Sequence, residues 1–415
     1  MPWKAENLME LRGAFVLSCM AEGANVSELC RHYGISRKTG YKWLDRYGRL
    51  RFAGLADQTR RPRSNARSVR AEIEERIVAA RKDHPTWGAG KLLAQLERED
   101  PETDWPARGT VHAILQRHGL VRARRRRRGS VPPPSGGVLA DRPNAVWSAD
   151  FKGQFLLGDG TYCYPLTVMD GCSRRVLACV ALSGVGTAGV LPCFESLFGE
   201  FGLPEAILTD NGAPFGSSGA GGLTPLSAFW AKLGIVLDRT RPGKPQDNGR
   251  HERMHRTLKA ATTRPPSWDL VAQQSRFDAW MREYNGERPH EALGQEVPDS
   301  VYEPSARRWD GHVPEPEYPG HWETRRVKRS GELRWRGDAH YLSETLAHER
   351  VGLFESGEGM WQVAFGMHPV AVLDCGKGKL YPIRPTRPKP KFRFSALRAM
   401  DEDEDGQSGA LCPHP

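Results

Sequence analysis

The chain has 415 residues, a formal net charge of +10 and 39% hydrophobic residues. That length is too great for one ordinary core and predicts two to four domains, while the excess of cations predicts a polyanionic partner, nucleic acid, bound by phosphate neutralisation. Eight cysteines without a CxxC pair give neither a zinc site nor a disulfide framework, and the apolar run 14–17 is too short to span a membrane and has acidic Glu6 and Glu10 before it, unlike a signal peptide. A reduced, cytoplasmic protein, associated with the nucleoid in use, is the expected setting.

Residues 8–48 read as helix, short helix, tight turn and helix, the spacing of a helix-turn-helix. Asn25 or Ser27 can cap the short helix (26–33), and Ser36 caps the third, which runs to Tyr47. Arg37, Lys38, Thr39 and Lys42 lie at the start of that third helix, where a recognition helix meets base edges. Tyr41 and Leu44 are expected to pack inward, and Trp43 in part; a plain three-helix bundle is the alternative. A basic linker (54–68) separates this domain (1–53) from a second helix-turn-helix-like unit (69–128), with helices over 72–82, 89–97 and 108–118. It ends in an arginine run in which Arg124, Arg125 and Arg126 are expected to track phosphates, unless the run is a solvated linker. Pro/Gly-rich residues make a second linker, 129–140.

Residues 141–303 begin strand-rich and then alternate helix with strand, an α/β pattern with a mixed sheet. Strand 144–155 carries Asp150. Turns at Asp159-Gly160 and Asp170-Gly171 lead to strands 162–169 and 175–181, giving three consecutive antiparallel strands. Helix 186–201 crosses to strand 206–209, expected beside the first strand, and Asp210 follows it before an Asn211-Gly212 turn. Helix 225–233 and strand 235–239 come next. After a breaker-rich loop, Glu252 sits in the first turn of a basic helix.

Three crowded acids resist joint ionisation unless a cation neutralises them, and oxygen-only donors favour Mg²⁺ or Mn²⁺ over zinc. Two such ions about 3.5–4 Å apart would clamp the attacking and leaving oxygens of a phosphoryl displacement. Each acid has a plainer reading: Asp150 as a strand-end cap, Asp210 as a turn residue, Glu252 as a surface pair with Arg256. Asp247, in the loop, and Glu205, before its strand, are weaker rivals for the third position. Glu252, Arg256 and Lys259 share a helix face at i, i+4 and i+7, which sets cations in line with a ligand acid to grip a DNA strand. His251 and His255 flank Glu252 and are expected to help position phosphates; a His₂Glu zinc site is the weaker alternative, because their spacing is not HExxH. Asn211 and Asn248 are expected to orient ligands or substrate, and Arg239, Arg241 and Lys244 to frame a loop that is mobile until DNA arrives. Asp170 reads as a turn residue.

The strings WSADFKG, LTDNGAPF, KPQDNGRHERMHRTLK and YNGERPHEALG, in this order over about residues 140–300, resemble the catalytic domain of insertion-sequence transposases with a retroviral-integrase-type DDE core. The resemblance implies a ribonuclease-H-like fold and two catalytic metal ions held by Asp150, Asp210 and Glu252. It also implies cleavage at element ends, joining of 3′-OH ends to target DNA, and a homo-oligomer on DNA. One departure is the glycine-rich stretch 216–222, which reads as a loop insertion. In the resembling family YNGERPHEALG closes the core, with Arg288 and His290 structural or close to DNA.

Beyond a proline-punctuated linker (304–320), short alternating strands over 321–385 predict a small β-barrel, and 386–415, basic and then acidic through Asp401–Asp405, a disordered tail. The expected protein is therefore multidomain: all-α helix-turn-helix units, an α/β ribonuclease-H-like core and a small β-barrel, with DNA as partner and no membrane. Two other classes remain open, a catalytically inactive DNA-binding regulator and a metal-dependent nuclease without strand transfer.

Overall fold

Of the two residues open as cap of the short helix it is Asn25 that serves, its Oδ1 accepting from the Ser27 amide at 3.0 Å, and Ser36 caps the third helix as expected, its Oγ accepting from the Thr39 amide at 3.2 Å. The computed structural model describes residues 8–57, 69–121, 138–241 and 245–383. Arg124, Arg125, Arg126, Lys244, parts of the linkers and the acidic tail lie outside the described residues.

Helices α1 (Leu8–Cys19), α2 (Val26–His32) and α3 (Arg37–Leu50) close around Phe15, Val16, Cys30, Ile35, Trp43 and Leu55. Here the expectation for α3 is corrected. Trp43, three residues after the buried Gly40, is 3% exposed, whereas Tyr41 is 58% exposed; Leu44 is half-buried. The inward face follows Gly40, because a Cβ there would lie 2.5 Å from Cys30 Sγ and 2.9 Å from Phe15 Cζ. Gly40→Ala is therefore expected to destabilise this unit by about 1–3 kcal/mol, read as a lowered helical melting transition.

Helices α4 (Ala71–Asp83), α5 (Ala89–Glu99) and α6 (Arg108–Arg117) pack on Ile77, Trp87, Leu92, Leu96, Val111, Ile114 and Leu115. Arg81 ties the unit together by donating to Leu120 O at 2.9 Å.

The central sheet begins with β1 (Val146–Phe151), β2 (Phe155–Leu156), β3 (Tyr162–Asp170) and β4 (Val176–Leu182). The single expected strand 144–155 is broken because Gly153 takes a left-handed φ of +84°. Helix α7 (Thr187–Phe201) crosses to β5 (Ala206–Thr209), and α8 (Pro225–Lys232) leads to β6 (Val236–Arg239). The order is β2-β3-β1-β5-β6, with β4 also on β3; β1 is antiparallel to β3 and parallel to β5, so the sheet is mixed. Helices α9 (Gly249–Thr262), α10 (Leu270–Arg282) and α11 (Pro298–Val301) follow.

Period-two alternation gives the sheet a core on each face. Trp147 and Ala149 join Phe194, Phe198 and Trp230 of α7 and α8 on one face. Met169 and Cys179 meet Met254, Leu258 and Phe277 of α9 and α10 on the other. The start of the expected 304–320 linker is a strap instead: Ser305 donates to Phe201 O at 2.7 Å, and Arg307 O accepts from Leu203 at 2.8 Å.

Strands β7 (Glu323–Arg326), β8 (Glu332–Trp335), β9 (Asp338–Tyr341), β10 (Arg350–Gly357), β11 (Met360–Phe365), β12 (His368–Asp374) and β13 (Lys379–Pro382) complete the described chain. Five form an antiparallel sheet, β13-β12-β11-β10-β7, and β8-β9 a separate hairpin. Where a small barrel was expected, the described residues form an open sheet. Its core is shared with Ala220 and Leu223 of the glycine-rich segment and Ala228 and Ala231 of α8, so apolar surface is covered without the sheet closing on itself. Among the described residues, no helix is long and apolar enough to cross a membrane.

Candidate active site

The register Trp147↔Ile207 and Ser148↔Leu208 on neighbouring parallel strands, continued by two residues, sets Asp150 level with Asp210. Asp150 ends a strand packed on both faces, whereas Asp210 is exposed at the strand-to-turn junction and accepts from the Gly212 amide at 3.0 Å. Glu252 is exposed on the first turn of α9, and the opposite face of that helix buries His251, Met254, His255 and Leu258.

Asp150 feels the charge of both other acids. Burial, then the neighbouring Asp210 and, more weakly, Glu252, push the Asp150 carboxyl up to about 7, against Lys152 and the Phe151 amide. Negative charge is thus concentrated, with Lys152 beside Asp150 and Arg239 beside Asp210 as the nearby cations, and every candidate donor of the three acids is a carboxylate oxygen. That chemistry fits a hard divalent cation.

Beneath Asp150 lies a polar network whose shape the sequence reading missed. Thr167, cross-strand from Asp150, donates to Asp150 O at 2.9 Å, and its Oγ1 is 2.7 Å from Nε2 of both His251 and His255. A hydroxyl has one proton, so both imidazoles donate through Nε2. His251 Nδ1 then accepts from Ser148 Oγ at 2.7 Å, and His255 Nδ1 faces Asp150 Oδ2 at 3.8 Å. Burial pushes both histidines down, His251 to about 3 and His255 to about 2, so both are neutral. Both are buried behind Asp150 with their partners inside the sheet, where the expectation placed them toward phosphates at the surface. Nitrogens and oxygens of Asp150, His251 and His255 approach within 4.8 Å, a spacing compatible with a metal, yet three of the four imidazole nitrogens already have hydrogen-bond partners. The signal for this network was present: Ser148 and Asp150 alternate with Trp147 and Ala149, and His251 and His255 stand i, i+4 on the face of α9 away from Glu252.

The rival acids are occupied elsewhere. Asp247 takes both Arg241 Nε (2.9 Å) and Nη2 (2.8 Å), and Glu205 pairs with Arg142 at 2.6 Å at the other end of β5. Arg241 therefore ties the end of β6 to the turn at 245–248. Arg239 lies behind Asp210, donating to Gly222 O at 3.0 Å. Asn211 joins β5 to β6 by donating to Thr240 O at 2.8 Å, and Asn248 precedes α9 without capping it through its side chain. Asp170 is the expected turn residue, accepting from Ser173 and from the Asn144 amide. Arg256 and Lys259 are exposed on α9, as are Arg37, Lys38 and Lys42 on α3, with Thr39 half-buried.

Two profiles described as integrase core domain match residues 140–245 and 233–298. A helix-turn-helix domain matches 14–63 and a homeodomain-like domain 39–115. The chain carries an integrase-type core behind helix-turn-helix domains, and it resembles insertion-sequence transposases. It is 25% identical over 286 residues to an uncharacterized protein of insertion element IS407 from Burkholderia multivorans, covering 68% of this chain and 92% of that relative. The uncharacterized protein of insertion element IS476 from Xanthomonas euvesicatoria is 25% identical over 272 residues, 65% of this chain and 75% of the relative. Among solved structures, the HTLV-2 integrase catalytic core in complex with magnesium aligns at 16% identity and a TM-score of 0.32, over 39% of this chain and 98% of that one.

Proposed function

We propose that this integrase-core protein is a DNA transposase that cleaves the ends of its element and joins the resulting 3′-OH ends to target DNA. The observation that carries the reading is the convergence on Asp150 of Asp210, from the adjacent strand end, and Glu252, from α9. In this reading Asp150, Asp210 and Glu252 are the catalytic residues and would hold two Mg²⁺ or Mn²⁺ ions. When bound, such ions neutralise charge on the phosphoryl group and on the entering and leaving oxygens.

The protein's own groups orient the reaction. Thr167, itself held by His251 and His255, fixes the Asp150 backbone, and β5 fixes Asp210 at the same level. Arg256 and Lys259 grip the backbone beside the scissile bond. Water oxygen attacks phosphorus, the P–O3′ bond breaks, and a 3′-OH and a 5′-phosphate result. In the second step that hydroxyl attacks a target phosphodiester, a new P–O3′ bond replaces the old one, and no covalent protein–DNA bond forms. The helix-turn-helix domains bind the element ends, Arg37, Lys38, Thr39 and Lys42 contributing from α3. Two ends joined in one event call for a homo-oligomer on DNA.

The test is a supercoiled plasmid carrying the inverted repeats that flank the gene. Joined products in Mg²⁺, absent with chelator, are expected. Nicks alone would replace this reading with a nuclease, and binding without breakage with an inactive regulator.

A further inference from the structure

Tyr284 and His290 stack edge to face, centroids 4.8 Å apart, in the YNGERPHEALG segment. Five cations surround them. Arg174 and Arg250 both donate to one carbonyl, Gly171 O, at 2.8 Å each. Lys91 of α5 donates to Pro289 O, and Arg288 lies 6.0 Å over the Trp87 ring. Arg253 is exposed on α9, one turn beyond Arg250.

Among the described residues, none of the five forms an ion pair. The nearby acids are Glu283, whose Oε1 is 3.4 Å from His84 Nδ1, and Glu291 near Lys91, so positive charge remains in excess. Lys91, Arg174 and Arg250 rest on carbonyl oxygens and Arg288 on an aromatic face, contacts that leave their charge uncancelled. Burial, then Arg288, pushes Lys91 down to about 8; burial, then Arg250, pushes Arg174 down to about 10. A folded protein that gathers mutually repelling cations gains stability from an anion that relieves them.

We propose that Lys91, Arg174, Arg250, Arg253 and Arg288 form a clamp for the phosphate backbone of DNA, on the opposite edge of α9 from the catalytic acids. Helical periodicity supplies the continuity: going round the exposed face of α9, Glu252 and Arg256 lead to Arg253 and then Arg250. The helix is about 10 Å across, so the clamped phosphates lie within a few nucleotides of the reacting one. Lys91 and Trp87 belong to the second helical unit, so the same DNA contact registers that unit against the catalytic core. This inference rests on the reading that the protein acts on DNA.

The test uses the full chain, a short blunt DNA duplex of arbitrary sequence and a salt titration. The exposed pair is changed together as Arg250→Gln/Arg253→Gln, with Arg250→Lys/Arg253→Lys as the charge-keeping control. The glutamine variant is expected to bind on the order of tenfold more weakly at physiological salt, with a log–log salt slope smaller by about one to two. Its melting temperature should be unchanged or higher, and the lysine variant should recover the parental slope. An unchanged slope, or equal loss in both variants, would overturn the clamp. Failure of the transposase reading looks different: parental binding and salt slope persist while plasmid cleavage is absent.

Discussion

Asp150→Asn is expected to abolish plasmid cleavage while making the metal-free protein more stable than its parent. The two effects share one cause. The carboxyl is held among other acids and away from water, which pushes it from 3.8 to about 7. In the unfolded chain the same group ionises near the ordinary value, so between these limits the folded state holds a proton that the unfolded state has lost. The stability from this site is complete below about pH 4. It falls as pH rises through the window from about 4 to 7, and above about 7 the ionised site costs up to about 4 kcal/mol. Asparagine keeps the shape and removes that cost. At pH 8 with chelator the variant should therefore melt several degrees higher, and at pH 4 the difference should vanish. Added Mg²⁺ should raise the melting temperature of the parent and leave the variant almost unmoved, because only the intact acid cluster binds it. Cleavage should fall by at least about a thousandfold, with duplex binding retained. Persisting cleavage, or a variant less stable than the parent at pH 8, would remove Asp150 from its role.

Much of this site was legible because it is local. Strand Ala206–Thr209 is a four-residue apolar run ended by Asp-Asn-Gly, and the structure has it with those bounds. The caps at Asn25 and Ser36 were legible for the same reason. What escaped was decided by tertiary packing. The burial of Trp43 over Tyr41 depends on Gly40 touching α1 and α2, which no propensity encodes. His251 and His255 look like surface cations in a basic helix until β1 and β3 supply Ser148 and Thr167 as partners. Residues 305–307 read as a linker because their partners, Phe201 and Leu203, lie about a hundred residues earlier.

The glycine-rich stretch shows the same limit, and it gives the other large expected effect. Read as a loop insertion, 216–222 instead forms a seam between the catalytic sheet and the C-terminal sheet. The Gly221 amide donates to Ile383 O at 2.9 Å and its carbonyl accepts from His368 Nε2 at 2.9 Å. Next to it, Gly222 O receives Arg239, the cation behind Asp210. Glycine is required at 221 twice over: φ is +65°, and a Cβ would lie 2.8 Å from Val370 Cγ1. A β-branched residue adds about 1–2 kcal/mol for the left-handed backbone and about 1–3 kcal/mol for overpacking. Gly221→Val should thus lose about 3 kcal/mol and expose the C-terminal sheet to limited proteolysis. Gly219→Ala, where φ is −72° and only Ser217 Oγ approaches at 3.3 Å, should change stability by well under 1 kcal/mol. If the seam also braces the acids through Arg239, Gly221→Val should reduce cleavage in Mg²⁺ below the loss explained by unfolding. Equal proteolysis of the two variants would show that the C-terminal sheet is held elsewhere, and the segment would then be a loop after all.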